Sequence, residues 1–221
     1  MDWARAVDIN RVSLTRIVAE IFALLGLVGS GGLDRLPQAI YVAAERLLRP
    51  TESALRRLIV IAARGLVVKP LANRPMPKGL VIASKSSSAM SFRLFDKRTT
   101  FDFITSENPL FVRVKTTQNN PFNLFNQLVQ SKPAEQTSTI NVTRLSRRLA
   151  AVAQALETLP RQAQRLARWK ARRKTIENPK FTSPLRPGPP PGNRHKPRTE
   201  VDFVLQECHA LAFDALREDS S

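Results

Sequence analysis

The chain has few of the side chains on which most metal and catalytic sites depend. Its 221 residues include one cysteine, Cys208, and two histidines, His195 and His209. A single cysteine excludes an intramolecular disulfide framework. Cys208 and His209 are neighbours on a predicted helix and point about 100° apart, so they do not converge on one ion. We therefore predict no metal site.

Motifs for nucleotide and cofactor chemistry are missing as well. Gly29, Gly31 and Gly32 follow a helical pattern and lack the lysine of a phosphate-binding loop. Neither a dinucleotide fingerprint, nor a nucleophile elbow, nor an HExxH sequence occurs. We expect a noncatalytic protein without a cofactor, although catalysis by Asp, Glu or Lys would leave no local motif.

Acidic residues are also scarce, because 18 Asp and Glu stand against 35 Lys and Arg, a formal net charge of +17. Residues 144–198 hold 15 basic and 2 acidic side chains, whereas residues 199–221 hold 1 and 6. This asymmetry predicts an electropositive element with a polyanionic partner, either nucleic acid or an anionic membrane. A solvated basic face without a partner is the alternative.

Apolar residues make up 43% of the chain, enough for a folded core, and their spacing predicts an amphipathic helix at its start. The one polar position in the stripe, Asn10, either fixes the register between two helices or lies at a solvated end. The stripe consists of Trp3, Val7, Asn10, Leu14, Ile17, Ile21, Leu24 and Val28.

Residues 17–33 are apolar on almost every face. The charge-free part, Ile21 to Leu33, has 13 residues, whereas a membrane span needs about 20. We interpret the segment as a helix buried in the core, with a membrane anchor or a secretory signal as the alternatives. The expected location is the cytoplasm, with association with the inner membrane through residues 17–33 in the anchor alternative.

Two further helices are predicted before residue 69. Pro37 suits a first helical position, and Pro50 would end a helix over residues 37–49. Thr51 would then cap a second helix from Glu52 to about Val67. Residues 1–69 are therefore predicted to form an N-terminal helical region, a small three-helix bundle.

Residues 70–143 have a different, irregular character, with seven of the eleven phenylalanines lying between Phe92 and Phe125. Alternation of apolar and polar residues over 101–115 predicts a short β-hairpin that turns at residues 106–109. The phenylalanines either fasten this segment to the helical core, which we favour, or stack on nucleic-acid bases.

A basic amphipathic helix is predicted over residues 144–177. Its apolar positions, from Leu145 to Leu166, recur every three or four residues, and six arginines share the opposite face. Pro160 predicts a kink, or a second helix capped by Thr158. The apolar seam would dock on the rest of the chain or on a second copy, leaving the guanidinium groups to bind phosphates. The predicted anion-binding residues are Arg144, Arg147, Arg161, Arg165, Arg168, Arg172, Arg173 and Lys174.

Residues 178–198 hold seven of the sixteen prolines. We predict an extended spacer here, with a ligand for an aromatic groove as the alternative. Residues 199–221 are predicted to form the last helix, with a Thr199 cap completed by Asp202 and with Cys208 as a buried apolar residue. This acidic helix could fold back on the arginine face and mask it.

Two parts of the chain resemble a family of bacterial proteins with no assigned function. They are PLRPGPPPGNRHKPR with the following EVDFVLQECHALAFDAL, and RPTESALRRLIVIAARGL. The resemblance implies a bacterial, stand-alone protein. It carries no activity, cofactor or site residue that could be transferred.

These patterns predict a mainly α fold, a helical bundle with an irregular Phe-rich middle segment and a Pro-rich connector before the last helix. The expected function is noncatalytic binding of an anionic surface, nucleic acid or anionic lipid, through an arginine-lined helix. The alternative is a membrane-anchored scaffold or adaptor, held by residues 17–33, that reaches a protein partner. No small-molecule substrate is indicated.

Overall fold

The computed structural model describes residues 2–26, 35–69, 91–96, 139–176 and 183–218. Within these ranges the protein is mainly α-helical, as predicted, with five helices and one two-stranded sheet. The hairpin predicted over 101–115 lies outside them. The elements in chain order are α1 (Trp3–Leu24), β1 (Arg35–Pro37), α2 (Gln38–Ala62), β2 (Thr139–Asn141), α3 (Thr143–Glu157), α4 (Leu159–Lys174) and α5 (Glu200–Glu218).

The first helix, α1, is amphipathic as predicted. Its N-cap is Asp2, whose carboxylate accepts a hydrogen bond from the Arg5 backbone N–H at 3.1 Å. Ile17, Val18 and Ile21 are buried in the core, which is the packing expected of a buried helix. The remainder of the predicted anchor, residues 27–33, lies outside the described ranges. Among the helices of the described residues, none combines the length and the apolar character needed to cross a bilayer.

Asn10 fixes the register between α1 and α5. Its side chain is buried, and its amide nitrogen donates to the Ala6 carbonyl at 2.9 Å and to Glu207 Oε1 at 3.1 Å. Its amide oxygen accepts from Cys208 Sγ at 3.4 Å. The solvated-end alternative is therefore wrong, the contacts of Asn10 with α5 favour the register interpretation, and Cys208 is buried as predicted.

The second helix, α2, continues through Pro50, so the prediction of separate helices over 37–49 and from Glu52 is wrong. Pro37 precedes the helix, and the Thr51 hydroxyl donates to the Leu47 carbonyl at 2.7 Å instead of capping a new helix. A proline inside a helix costs about 3 kcal/mol. Tertiary packing offsets this cost, because α2 packs against all four other helices.

The two short strands join the starts of α2 and α3. They pair antiparallel, with Arg35 opposite Asn141 and Leu36 opposite Ile140. Since β1 leads directly into α2 and β2 leads into α3, this pairing brings the beginnings of the two helices together.

The proline-rich segment is not a free spacer over its described part, residues 183–198. It contains no helix there, as predicted, but Pro184, Leu185 and Pro190 are buried. Gly192 lies against α2, where an added Cβ would come within 2.7 Å of the Pro50 nitrogen. Prolines can pack in this way because they bury apolar rings without leaving a backbone N–H unpaired. The prediction of a spacer is therefore corrected to a docked segment.

The last helix, α5, begins where predicted, and Asp202 makes its part of the predicted cap, whereas the predicted cap by the Thr199 side chain is wrong. The Asp202 carboxylate accepts from the backbone N–H groups of Arg198 and Thr199, both at 3.1 Å, while the buried Thr199 hydroxyl has no partner among the described residues. The helix packs mainly on α2 and α1, and Glu200 forms an ion pair with Arg16. None of the acidic side chains of α5 that the structure describes forms an ion pair with the outward arginines of residues 144–172. The hypothesis that they mask this face is therefore wrong.

Candidate anion-binding site

The basic segment folds as two helices that meet at Thr158. Pro160 lies in the first turn of α4, where its missing N–H would have no helical partner. The Thr158 hydroxyl donates to the Gln154 carbonyl at 2.7 Å, at the end of α3, and does not cap α4. The predicted interruption at Pro160 is confirmed, and the predicted capping role of Thr158 is wrong.

The apolar seam of α3 and α4 docks on the rest of the chain. All its positions are at most 3% exposed and belong to the same core as α1 and α2. This burial uses the surface that a second copy would have needed, and it turns the opposite face of both helices outward. The seam positions are Leu145, Leu149, Val152, Leu156, Leu159, Ala163 and Leu166.

Six arginines occupy that outward face, and all six side chains are exposed as predicted. Their positions step by three or four residues within each helix, so Arg144 and Arg147 share one face of α3 and the other four share one face of α4. No described carboxylate forms an ion pair with any of them. We call this set the arginine row, and its members are Arg144, Arg147, Arg161, Arg165, Arg168 and Arg172.

The two other predicted residues, Arg173 and Lys174, lie in the last turn of α4 beside Arg172. The Arg173 guanidinium lies over the Trp169 ring, 5.0 Å from its centroid, whereas Lys174 is exposed. Cations in a last turn also stabilise the helix, because its terminal carbonyls carry partial negative charge. These two residues therefore have a structural role independent of any ligand.

One arginine of the basic segment points inward instead. Arg148 donates to Glu52 Oε1 at 2.8 Å and lies 3.5 Å from Glu45 Oε1, which ties α3 to α2. Burial disfavours its charge, but the bonds to Glu52 and Glu45 outweigh this effect and raise the pKa of Arg148 above its ordinary value. The acids of α2 are thus paired with Arg148 and not with the arginine row.

A cavity of about 370 Å³ opens in the middle of the arginine row, where α3, α4 and residues 91–92 meet. Its walls combine small apolar side chains, amides and guanidinium groups. Neither Ser91 nor Phe92 was predicted to belong to the site, because their approach to α4 is a long-range contact that leaves no local pattern. The lining residues are Ser91, Phe92, Ala151, Gln154, Ala155, Thr158, Arg161, Gln162, Arg165 and Arg168.

Arg165 forms one wall of this cavity. Its guanidinium donates to Ser91 Oγ at 3.3 Å and to the Phe92 carbonyl at 3.1 Å. Arg161 and Arg168, one turn away on either side, have no such partners within the described residues. Arg165 is therefore partly committed to holding the wall, whereas the guanidinium groups of its two neighbours have no described partner.

Gln162 places an unpaired acceptor beside the cavity. Its Nε2 donates to Thr158 Oγ1 at 3.5 Å. The Thr158 hydroxyl donates its own hydrogen to the Gln154 carbonyl, so it can only accept from Gln162. The amide must therefore direct Oε1 the other way, where this buried oxygen has no partner among the described groups. Buried acceptors without a partner are rare, and this oxygen is too deeply buried for a ligand in the cavity to reach it.

A second polar cluster, which the sequence did not predict, holds residues 91–96 in place. Arg57 is completely buried and donates to the Ser53 side chain at 2.7 Å, to His209 Nδ1 at 3.1 Å and to Asp96 Oδ2 at 3.5 Å. The Asp96 carboxylate also accepts a hydrogen bond from the Arg186 backbone N–H at 3.4 Å. The cluster thus joins α2, α5, residues 91–96 and the proline-rich segment.

Burial determines the protonation behaviour of this cluster. Burial lowers the pKa of the Arg57 guanidinium, against the opposing attraction of Asp96. Burial and the nearby Arg57 charge lower the pKa of His209. The neutral imidazole is also the form that the Arg57 bond requires, because Nδ1 must act as an acceptor.

The cluster supports the cavity through Arg56. Its Nε donates to the Arg93 carbonyl at 3.0 Å, and its guanidinium lies 5.5 Å from the centre of the Phe92 ring. Because Phe92 lines the cavity, Arg56 and Asp96 fix the position of one cavity wall without lying in it.

No protein-family model, curated protein or solved structure matches this chain. This result is consistent with the resemblance to a family without an assigned function. Within the described ranges, no group of three or more His, Cys, Asp or Glu side chains is placed to hold a metal ion. The arginine row and the adjacent cavity are therefore the candidate functional features of the described residues.

Proposed function

We propose that this protein is a noncatalytic binding protein for nucleic acid and that the arginine row contacts the phosphate backbone. The observation that carries the proposal is the exposure of all six arginines on the outward faces of α3 and α4, with no acidic partner among the described residues. Guanidinium groups are the cations best suited to phosphate, because their planar array of N–H donors can bind two oxygens at once.

The spacing of the row suits a polyanion. Arg161 and Arg172 are eleven residues apart, which corresponds to about 16 Å along a helix. One strand of duplex DNA carries a phosphate about every 3.4 Å along its axis, so four or so phosphates fall within that length. No base-reading element was recognised in the sequence, and binding is therefore expected to be nonspecific and strongly salt-dependent.

Nucleic acid fits this face better than a bilayer does. Helices that lie in a membrane interface insert an apolar face beside their cations. The apolar seam of α3 and α4 is buried in the core, so the leucines of these helices are not available for insertion beside the arginine row. Charge contact with phosphate groups is the remaining mode of attachment.

The test is a salt titration of duplex binding followed by fluorescence anisotropy. We expect the variant Arg161→Gln/Arg168→Gln/Arg172→Gln to bind duplex at least about tenfold more weakly between about 50 and 200 mM salt. The slope of log affinity against log salt should fall by about 2 to 3, since each lost phosphate contact contributes about 0.9. Arg165 is left unchanged because it also holds the cavity wall.

The matched control removes the same charge from exposed arginines outside the row, as Arg5→Gln/Arg35→Gln/Arg46→Gln. This variant should keep a salt slope close to that of the wild type. Equal losses in the two variants would show that only net charge matters and would overturn the role of the row. Retention on phosphatidylglycerol vesicles without duplex binding would replace nucleic acid with lipid.

A further inference from the structure

The part of the cavity lining that a ligand can reach is polar and cationic. Phe92 and Ala155 lie behind this part and are buried. None of the described lining residues is acidic. A lining of this kind suits a small anion rather than an apolar ligand. The lining residues that are exposed are Ser91, Gln154, Arg161, Arg165 and Arg168.

Arg165 is already oriented at this cavity. Its Nη1 donates to the Phe92 carbonyl at 3.1 Å and to Ser91 Oγ at 3.3 Å. A guanidinium carries further donors on Nε and Nη2, and these have no partner among the described residues. The Ser91 hydroxyl accepts the bond from Arg165 and keeps its own hydrogen to donate. Groups that are ordered before binding lower the entropy that binding costs.

Three positive charges surround the same cavity. Arg161, Arg165 and Arg168 are four and three residues apart, so they share one face of α4. A concave site lined by charges of one sign concentrates their field, which favours the anion with the higher charge. A phosphodiester of the backbone carries one negative charge. A phosphomonoester carries a charge of about −1.5 to −2 at pH 7 and has three terminal oxygens that accept hydrogen bonds.

We propose that this cavity binds a phosphomonoester dianion, supplied by the terminal phosphate of a nucleic-acid strand. Arg161, Arg165, Arg168 and the Ser91 hydroxyl donate to its oxygens, and neither sugar nor base is contacted. This proposal rests on the proposed function, because the other arginines of the row would hold the adjoining backbone. It adds a preference for strand ends that carry a phosphate.

The first experiment compares two DNA hairpins of one sequence, with a 5′-phosphate or a 5′-hydroxyl, each labelled in its loop. Fluorescence anisotropy with the full-length chain at fixed salt should show at least about tenfold tighter binding of the phosphorylated hairpin, because its dianion gains charge-assisted hydrogen bonds. A 5′-phosphate blocked as its methyl ester carries one charge and should bind nearly as weakly as the hydroxyl form. Equal affinity for the phosphorylated and hydroxyl hairpins would exclude the strand end as the source.

Two variants of equal charge separate the cavity from the rest of the row. Arg161→Gln/Arg168→Gln should reduce the preference for the phosphorylated hairpin to about twofold or less, since two of the three cations are lost. Arg144→Gln/Arg147→Gln removes the same charge from α3 and should weaken both hairpins alike while keeping the preference. If the preference fell equally in both variants, it would reflect net charge only, and the cavity would have no part in it.

Ser91→Glu tests the position of the phosphate without removing an arginine. The new carboxylate lies beside Arg165 and competes with the phosphate, so the preference should again fall to about twofold or less. Ser91→Gln has the same length without the charge and should keep most of the preference. Circular dichroism should show wild-type helix content for both, because Ser91 is exposed. Full preference in Ser91→Glu would contradict the proposed position.

Calorimetric titration with inorganic phosphate at constant ionic strength identifies the source of the phosphate. Inorganic phosphate that binds wild type but not Arg161→Gln/Arg168→Gln, with equal affinities for the two hairpins, would identify free phosphate as the ligand. Absence of both phosphate binding and a hairpin preference would overturn the cavity proposal, and salt-dependent binding of the hydroxyl hairpin would leave the proposed function standing. Phosphate binding without hairpin binding would do the opposite.

Discussion

Arg57 is a charged side chain held entirely inside the core. Ser53, His209 and Asp96 each bond to its guanidinium. A buried charge costs several kcal/mol unless its donors are satisfied, so each partner is needed. His209 is the one partner whose bonding capacity changes close to neutral pH.

We therefore predict that acid weakens the fold through His209. Its folded pKa is lowered, so the unfolded chain takes up a proton at higher pH than the folded chain does. Stability is then lost as the pH falls below about 6.5, the ordinary value for histidine. Urea unfolding at several pH values should show this decline, and His209→Asn should flatten it, because asparagine offers a nontitrating acceptor in a similar place.

The exposed His195 provides the control for this measurement. His195→Asn should follow the wild-type decline, since its side chain takes part in none of these bonds. If the variants at both positions and the wild type showed the same pH dependence, the Arg57 bond would have no part in acid sensitivity.

At the scale of single elements, Gly192 packs against the backbone of α2 at Pro50. Gly192 has a φ of +87°, and a Cβ built on it would lie 2.7 Å from the Pro50 nitrogen and 2.9 Å from its Cα. Those neighbours are backbone atoms of a packed helix, so they cannot shift without moving α2. A glycine is needed here for both its conformation and its lack of a side chain.

We predict that Gly192→Ala lowers the free energy of unfolding by about 2 to 3 kcal/mol. Gly188→Ala is the matched control, because Gly188 has a φ of +82° but nothing within 4 Å of its added Cβ. That variant should lose only the backbone component, about 1 kcal/mol. Equal thermal shifts for both variants would mean that the contact with Pro50 contributes nothing.

The elements show which features the sequence could predict. Periodicity located the apolar faces of α1, α3 and α4 because each stripe reflects local geometry. It failed at Pro50, where packing of both halves of α2 outweighs the local preference to end the helix. The docking of Pro184 and Leu185 was also missed, since a proline-rich composition predicts extended backbone but not what that backbone contacts.

The same division holds for the candidate site. The arginine row lies opposite apolar positions that recur every three or four residues, so its exposure could be predicted. Arg148 could be distinguished from it, because the position of Arg148 lies off that stripe. Ser91, Phe92 and the Arg57–Asp96 pair required contacts between residues far apart in the chain, and no single-sequence pattern reports such contacts.

At the scale of the molecule, Cys208 reports on the integrity of the core. It is completely inaccessible, it donates to Asn10, and burial raises the pKa of its thiol to about 12. Only the thiolate reacts readily with alkylating reagents. The thiol is therefore protected both by its location and by its protonation.

We predict that iodoacetamide does not modify Cys208 until the fold opens. Intact-mass measurements across a urea series should show labelling that rises together with the loss of helical circular dichroism. As a control, Arg46→Cys in a Cys208→Ala background should react at every urea concentration, because Arg46 is exposed. Labelling of Cys208 well below the helical transition would show that α5 detaches separately from the rest.

Six residues, 91–96, touch both charged regions of the molecule. Ser91 and Phe92 at one end line the cavity. Asp96 at the other end accepts a hydrogen bond from the Arg57 guanidinium. A ligand that contacts Ser91 and Phe92 would act, through the residues between them, on the Asp96–Arg57 contact. By thermodynamic reciprocity, the stability of the Arg57–Asp96 contact would change the ligand affinity of the cavity by the same free energy. Both quantities would then depend on residues 91–96.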